Sequence, residues 1–258
     1  MNLRGAIVVI TGASSGIGRA TAIAFARAGS TLVLAARRED RLRALAGEIE
    51  DHGGRALVLR TDVTRDEDVA ALRDGSLAAF GRCDVLVNDA GVPGGGPFAQ
   101  ASPERIELIV RTNLMGVLSV TKAFLPSMLA SRRGHVVNVG SIAGRVAIPG
   151  VAVYSATKHA VVAFSESLHA EVAAVGVLVT AVNPGLVRTE GFPQVGLPGV
   201  LLVRPERVAD TIVRVARKGI APEVSVPRSA GALQALHGLA PPLFRAAVRA
   251  AVRVRPER

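Results

Sequence analysis

A chain of 258 residues, 49% hydrophobic and 20% charged, can bury one sizeable core and is too apolar for a disordered polymer. Its formal charge is +10, but the arginines are spread along the chain with no helix-turn-helix, zinc-finger or aromatic RNA-binding motif beside them, which argues against a nucleic-acid partner. A single cysteine, Cys83, excludes an internal disulfide, and the five histidines are too scattered for a metal cluster.

The first strand is expected at residues 6–11, A-I-V-V-I-T. This run is too short and too poorly flanked for a signal peptide, and no apolar run approaches the length of a membrane span, so the expected location is the cytoplasm. Further strands are expected at 31–36, 55–61, 84–88, 134–139, 177–183 and 223–226. These segments are apolar on both phases, as strands covered on both faces are. Helices are expected between them at 16–28, 38–52, 66–80, 103–131, 155–174 and 205–218. Alternation of this kind predicts one α/β domain over residues 1–258: a doubly wound, mostly parallel seven-stranded sheet of Rossmann type, with helices on both faces.

T-G-A-S-S-G-I-G, Thr11 to Gly18, joins the first strand to the first helix. Glycines let the backbone approach an anion, and a helix start offers unpaired N–H groups and a partial positive charge. After a strand and before a helix, Gly12, Ser14, Ser15, Gly16, Ile17 and Gly18 read as a dinucleotide phosphate loop; taken alone, the stretch is a turn and a helix cap. The second strand ends A-A-R-R. An NAD site places an acid there, an NADP site an arginine for the 2′-phosphate, and no acid occurs before Glu39. Arg37, with Arg38 beside it, therefore points to NADP(H).

Y-S-A-T-K holds the only tyrosine, Tyr154, and one of three lysines, Lys158. Four residues apart on a helix, the two share a face. An ammonium beside a phenol favours phenolate, and helped by a cationic nicotinamide it is expected to lower the Tyr154 pKa enough for proton transfer near neutrality.

With these motifs in order, the chain resembles the short-chain dehydrogenase/reductase family from about Leu3 to Val226. The matching elements are the glycine loop, Asp62-Val63, the N-x-A-G element at Asn88, Ala90 and Gly91, then Asn113, Ser141, Tyr154 and Lys158, and Pro184-Gly185 followed by Thr189. The resemblance implies an oxidoreductase moving a hydride between nicotinamide and a carbonyl/alcohol pair. Tyr154 would exchange the proton, Ser141 would hold the substrate oxygen, and Lys158 would bind the nicotinamide ribose. Asn113, in a long helix, would anchor a relay water beside Lys158. Asp62 and Val63 would meet the adenine, Ile17 would offer a backbone donor to the phosphates, and Val187 and Thr189 would contact the pyrophosphate and carboxamide. One position departs: the family's N-N-A-G is N-D-A-G here, and Asp89 adds negative charge near the cofactor ribose.

Residues 186–204 correspond to the family's substrate lid. Phe192, Val195, Leu197 and Val200 to Val203 suggest an apolar substrate, or equally an apolar packing surface. Residues 229–258 form a basic amphipathic extension with Arg245, Arg249 and Arg253 in one stripe, able to pack on the domain or a second subunit or to touch an anionic membrane. The resemblance implies a homodimer or homotetramer. Alternative readings are an NAD-dependent alcohol dehydrogenase on the same fold, and a non-catalytic NADP-binding or membrane-peripheral protein.

Overall fold

A computed structural model describes residues 1–190 and 202–227, with positions 229, 240 and 242. Seven strands form one sheet: β1 (Ile7–Thr11), β2 (Thr31–Ala36), β3 (Arg55–Arg60), β4 (Val85–Asn88), β5 (Gly134–Val139), β6 (Val177–Pro184) and, last in the chain, β9 (Glu223–Val226). Their order is β3-β2-β1-β4-β5-β6-β9 and every pairing is parallel. A short parallel pair, β7 (Leu186–Val187) and β8 (Leu202–Val203), lies apart from it. The helices are α1 (Gly16–Arg27), α2 (Glu39–Asp51), α3 (Asp66–Phe80), α4 (Pro103–Val110), α5 (Gly116–Ser131), α6 (Ala152–Val172) and α7 (Pro205–Lys218).

The sheet's two faces explain the unbroken apolar runs. Val8 and Ile10 of β1 join a core with Phe25, Leu42 and Ile212, on α1, α2 and α7. Val9, between them, joins the opposite core with Leu72, Phe124 and Met128, on α3 and α5. Successive side chains point to opposite faces, so a strand buried on both must be apolar at every position. The edge strand β3 is only partly buried and begins and ends on exposed Arg55 and Arg60. The chain winds outward in one direction through β1, β2 and β3, and in the other through β4, β5 and β6. That reversal opens a crevice at the carboxyl ends of β1 and β4.

Three expectations need correction. The helix read as continuous over 103–131 is α4, a π-helical turn (Arg111–Met115) and α5. Such a turn inserts a residue into the hydrogen-bond ladder and leaves no composition signal. The same run is long and apolar enough to cross a bilayer, against the expectation that nothing is. Val120, Phe124 and Met128 nevertheless bury against the sheet, although only 33% of the run's apolar window is buried. The helix expected from 155 begins at Ala152, so Tyr154 stands inside its first turn. Of the lid, residues 191–201 lie outside the described residues, as does the extension 229–258 apart from positions 229, 240 and 242.

Candidate functional site

The ends of β1 and β4 are tied by one hydroxyl. Thr11 Oγ1 accepts the N–H groups of Asp89 and Ala90, at 3.2 and 3.3 Å. The next residue, Gly12, has φ +74°, and a Cβ there would stand 2.8 Å from Ala90 N, so only glycine fits. α1 then starts at Gly16 behind Ser15, whose side chain makes no capping bond. A Cβ on Gly18 would meet the Gly12 backbone and lie 2.8 Å from Asp89 Oδ2. Glycine thus clears a concave path along the open N-terminus of α1, the shape and polarity a diphosphate requires.

Two arginines follow β2. Arg38 donates to Ser14 Oγ (3.1 Å), Ser15 Oγ (2.8 Å) and Glu190 Oε1 (3.0 Å). Arg41 also holds Glu190, which keeps that carboxyl below its usual range. Arg37 is exposed and faces Asp62. Burial pushes the Asp62 carboxyl up, but the Thr64 N–H and hydroxyl, at 3.0 and 2.7 Å, with Arg37 and Arg65, outweigh it and hold the group low.

On α6, Tyr154 is hydrogen-bonded to the Ser141 hydroxyl. Ser141 also caps a 3₁₀ turn by accepting Ala143 N at 3.1 Å. Lys158 is buried and donates to Val139 O at 2.7 Å, its ammonium 5.7 Å from the centre of the Tyr154 ring. The expected lowering of the Tyr154 pKa by Lys158 is absent from the protein by itself. Burial pushes the phenol up to about 12, against the pull of the Ser141 bond. Burial also pushes Lys158 down to about 8, and its ammonium donates to the Val139 carbonyl and not to the phenol oxygen.

Asn113 sits in the π-helical turn, with both polar side-chain atoms on one peptide. Oδ1 accepts Val92 N at 2.7 Å and Nδ2 donates to Val92 O at 2.9 Å. The side chain therefore clamps the loop after β4. Asn88 is likewise internal, donating to Thr121 Oγ1 and Asn138 Oδ1.

A cavity of about 500 Å³ runs along this crevice. All the sequence-predicted residues line it except Gly18, Asn88 and Asn113, which shape the wall from behind. Pro184, Gly185, Val187 and Thr189 close one side, and Thr189 covers Gly16, where a Cβ would lie 3.0 Å from its methyl group. Sequence reasoning missed Thr61, Thr112 and the carbonyl of Val139. A backbone acceptor carries no side-chain signal, so Val139 could be found only from the position of Lys158. A second cavity, of about 330 Å³, meets the first at Gly94, Val151 and Tyr154.

The family model described as short chain dehydrogenase matches residues 6–196. A dehydrogenase/reductase SDR family member 7B of Xenopus laevis is 39% identical over 193 residues, 72% of this chain; the match spans 60% of that relative's length. A Burkholderia phymatum short chain dehydrogenase/reductase solved with NAD superposes with TM-score 0.84 at 28% identity, covering 94% of this chain and 96% of its own. An alcohol dehydrogenase of Thermococcus sibiricus solved with 5-hydroxy-NADP gives TM-score 0.80 at 31% identity, covering 86% and 96%. With the parallel sheet, the glycine cradle at its crevice and Ser141 bonded to Tyr154 above Lys158, these matches have one conclusion: the chain belongs to the short-chain dehydrogenase/reductase family of oxidoreductases.

Proposed function

We propose that the protein is an NADP(H)-dependent reductase of an apolar carbonyl compound. The observation that carries this reading is the position of Tyr154 where the two cavities meet, its hydroxyl on Ser141. The bound nicotinamide would supply the hydride. Gly12, Gly16 and the N-terminus of α1 would hold the diphosphate, Asp62 and Val63 the adenine, and Lys158 the nicotinamide ribose. A carbonyl oxygen entering from the second cavity would accept hydrogen bonds from Ser141 and Tyr154. A phenol pushed up to about 12 is fully protonated at neutral pH, the state in which Tyr154 can give its proton to that oxygen. The second cavity's wall includes Phe98, Ile106, Ile109 and Val151, with Arg105 its one charged residue among the described residues, which supports an apolar substrate.

NADP(H) is supported by Arg37 and Arg38 on the cavity wall, with no acid at the end of β2. One observation favours NAD as a second reading: Arg38 is already engaged by Ser14, Ser15 and Glu190, leaving Arg37 as the readier cation. A homo-oligomer in the cytoplasm belongs to the same proposal; its oligomeric part is supported by exposed Leu108 on α4, Met115 in the π-helical turn and Leu129 on α5.

The test is Tyr154→Phe, with cofactor fluorescence titrated alongside turnover of a carbonyl panel. The chain has no tryptophan, so the protein background is low. The expected result is loss of turnover by at least about a hundredfold with NADPH affinity unchanged. Full turnover in the variant, or wild-type preference for NADH, would remove the mechanism or the cofactor assignment respectively.

A further inference from the structure

Arg38, just after β2, meets an acid from 152 residues further along the chain. β7 is held by its pairing with β8, and the Gly185 N–H before it donates to Val226 O at 2.8 Å. Thr189 then lies against Gly16 at the start of α1. The next residue, Glu190, reaches across to α2. Its Oε1 accepts Arg38 Nη1 at 3.0 Å, and its Oε2 accepts Arg41 Nη1. The same Arg38 guanidinium spans to the glycine loop, with Nε and Nη2 on Ser14 Oγ at 3.3 and 3.1 Å and Nη2 on Ser15 Oγ at 2.8 Å. Arg38, Ser14, Ser15 and Thr189 line the cofactor cavity. The Glu190 side chain is half exposed.

We propose that Glu190 is a specificity-determining residue that weakens NADPH relative to NADH, its carboxylate standing in for a phosphate on Arg38. The proposal rests on the cofactor reading above and adds an internal competitor to it. Two arginines grip one carboxylate through both of its oxygens, the arrangement that also suits a phosphate. A 2′-phosphate brings about two negative charges. It cannot take Arg38 without displacing the carboxylate or standing against a like charge. A cofactor without that phosphate leaves the pair intact. Exposed ion pairs are weak, so the carboxylate biases the choice and does not block the site. Arg37, which faces Asp62 instead, stays outside this competition.

The test titrates wild type, Glu190→Gln, Arg38→Ala and the double variant with NADPH and with NADH, read by cofactor fluorescence. Glutamine keeps the size and an acceptor oxygen but no charge, and at a half-exposed position it leaves the fold intact. In Glu190→Gln the NADPH dissociation constant is expected to fall about fivefold, while that of NADH changes by less than about twofold. Without Arg38 the same substitution loses most of this gain, because the two residues act through one contact. Glu39→Gln is the charge control: it removes the same charge beside Arg38, but its carboxylate is bonded to Arg43. An unchanged NADPH constant in Glu190→Gln overturns the proposal. So does an equal gain with NADH, a gain undiminished in the Arg38→Ala background, or an equal gain in Glu39→Gln. The cofactor reading is judged separately, on wild type alone, where preference for NADH removes it. A selective NADPH gain in Glu190→Gln supports the competitor whichever cofactor wild type prefers.

Discussion

At the scale of single residues, the crevice separates charge that recognises from charge that reacts. Arg37 and Arg38 stand at its outer end, and one of them is already spoken for. Arg38 must leave Glu190 or share itself before it can hold a 2′-phosphate, whereas Arg37 is exposed and faces Asp62. Arg37→Ala is therefore expected to weaken NADPH about tenfold or more while changing NADH less than threefold. Competitive titration of the two cofactors checks this, and equal losses would remove Arg37 from phosphate recognition. Ser141 has two tasks, a bond to Tyr154 and acceptance of the Ala143 N–H. Ser141→Ala is expected to lower kcat by roughly a hundredfold with a small change in cofactor affinity.

At the scale of elements, two local devices build the site. The first is the start of α1, where Gly18 must let Gly12 and Asp89 approach. Gly18→Ala forces a Cβ against fixed backbone and is expected to cost about 1–3 kcal/mol of stability and to impair dinucleotide binding. Denaturant unfolding and cofactor titration measure the two losses. The second is the π-helical turn between α4 and α5, which brings Asn113 onto the Val92 peptide. Asn113→Ala leaves both polar groups of that peptide without their partner and is expected to destabilise the protein by about 2 kcal/mol. Because Val92 and Gly94 line the cavity, the loss should appear in cofactor affinity as well as in thermal unfolding.

At the scale of the whole molecule, the doubly covered sheet sets both stability and its pH dependence. Phe124 is fully buried in the core opposite α1, and Phe124→Ala is expected to cost about 3–5 kcal/mol, read as a lower denaturation midpoint. His135 lies within β5, also fully buried, with Nε2 on Thr180 Oγ1 at 2.8 Å. Burial pushes it down to about 4 from an ordinary 6.5. The unfolded chain thus takes up a proton that the folded protein refuses. This contribution is full above about pH 6.5 and is lost as the pH falls toward 4, by up to about 3 kcal/mol. Unfolding measured across that window should show the loss, and His135→Gln, with no titrating group, should flatten it.

The sequence by itself determined the seven-stranded parallel sheet, the glycine loop and the placing of Tyr154 and Lys158 on one helix. Each is written in local spacing: strands apolar on both phases, glycines where no Cβ fits, and two rare residues four apart on one helix. Only the tertiary structure decided what those side chains meet. Asn113 clamps Val92 because a π-helical turn rotates it there, and composition does not encode that extra residue in the ladder. Tyr154 rises to about 12 because packing strips its water, a quantity set by neighbours far apart in the chain. Asp89 reads in the sequence as an added charge near the cofactor, and the fold sets its carboxylate against the start of α1, where a Cβ on Gly18 would lie 2.8 Å from Oδ2. Spacing along a chain fixes which residues share a face; burial and charge depend on what the fold lays against that face.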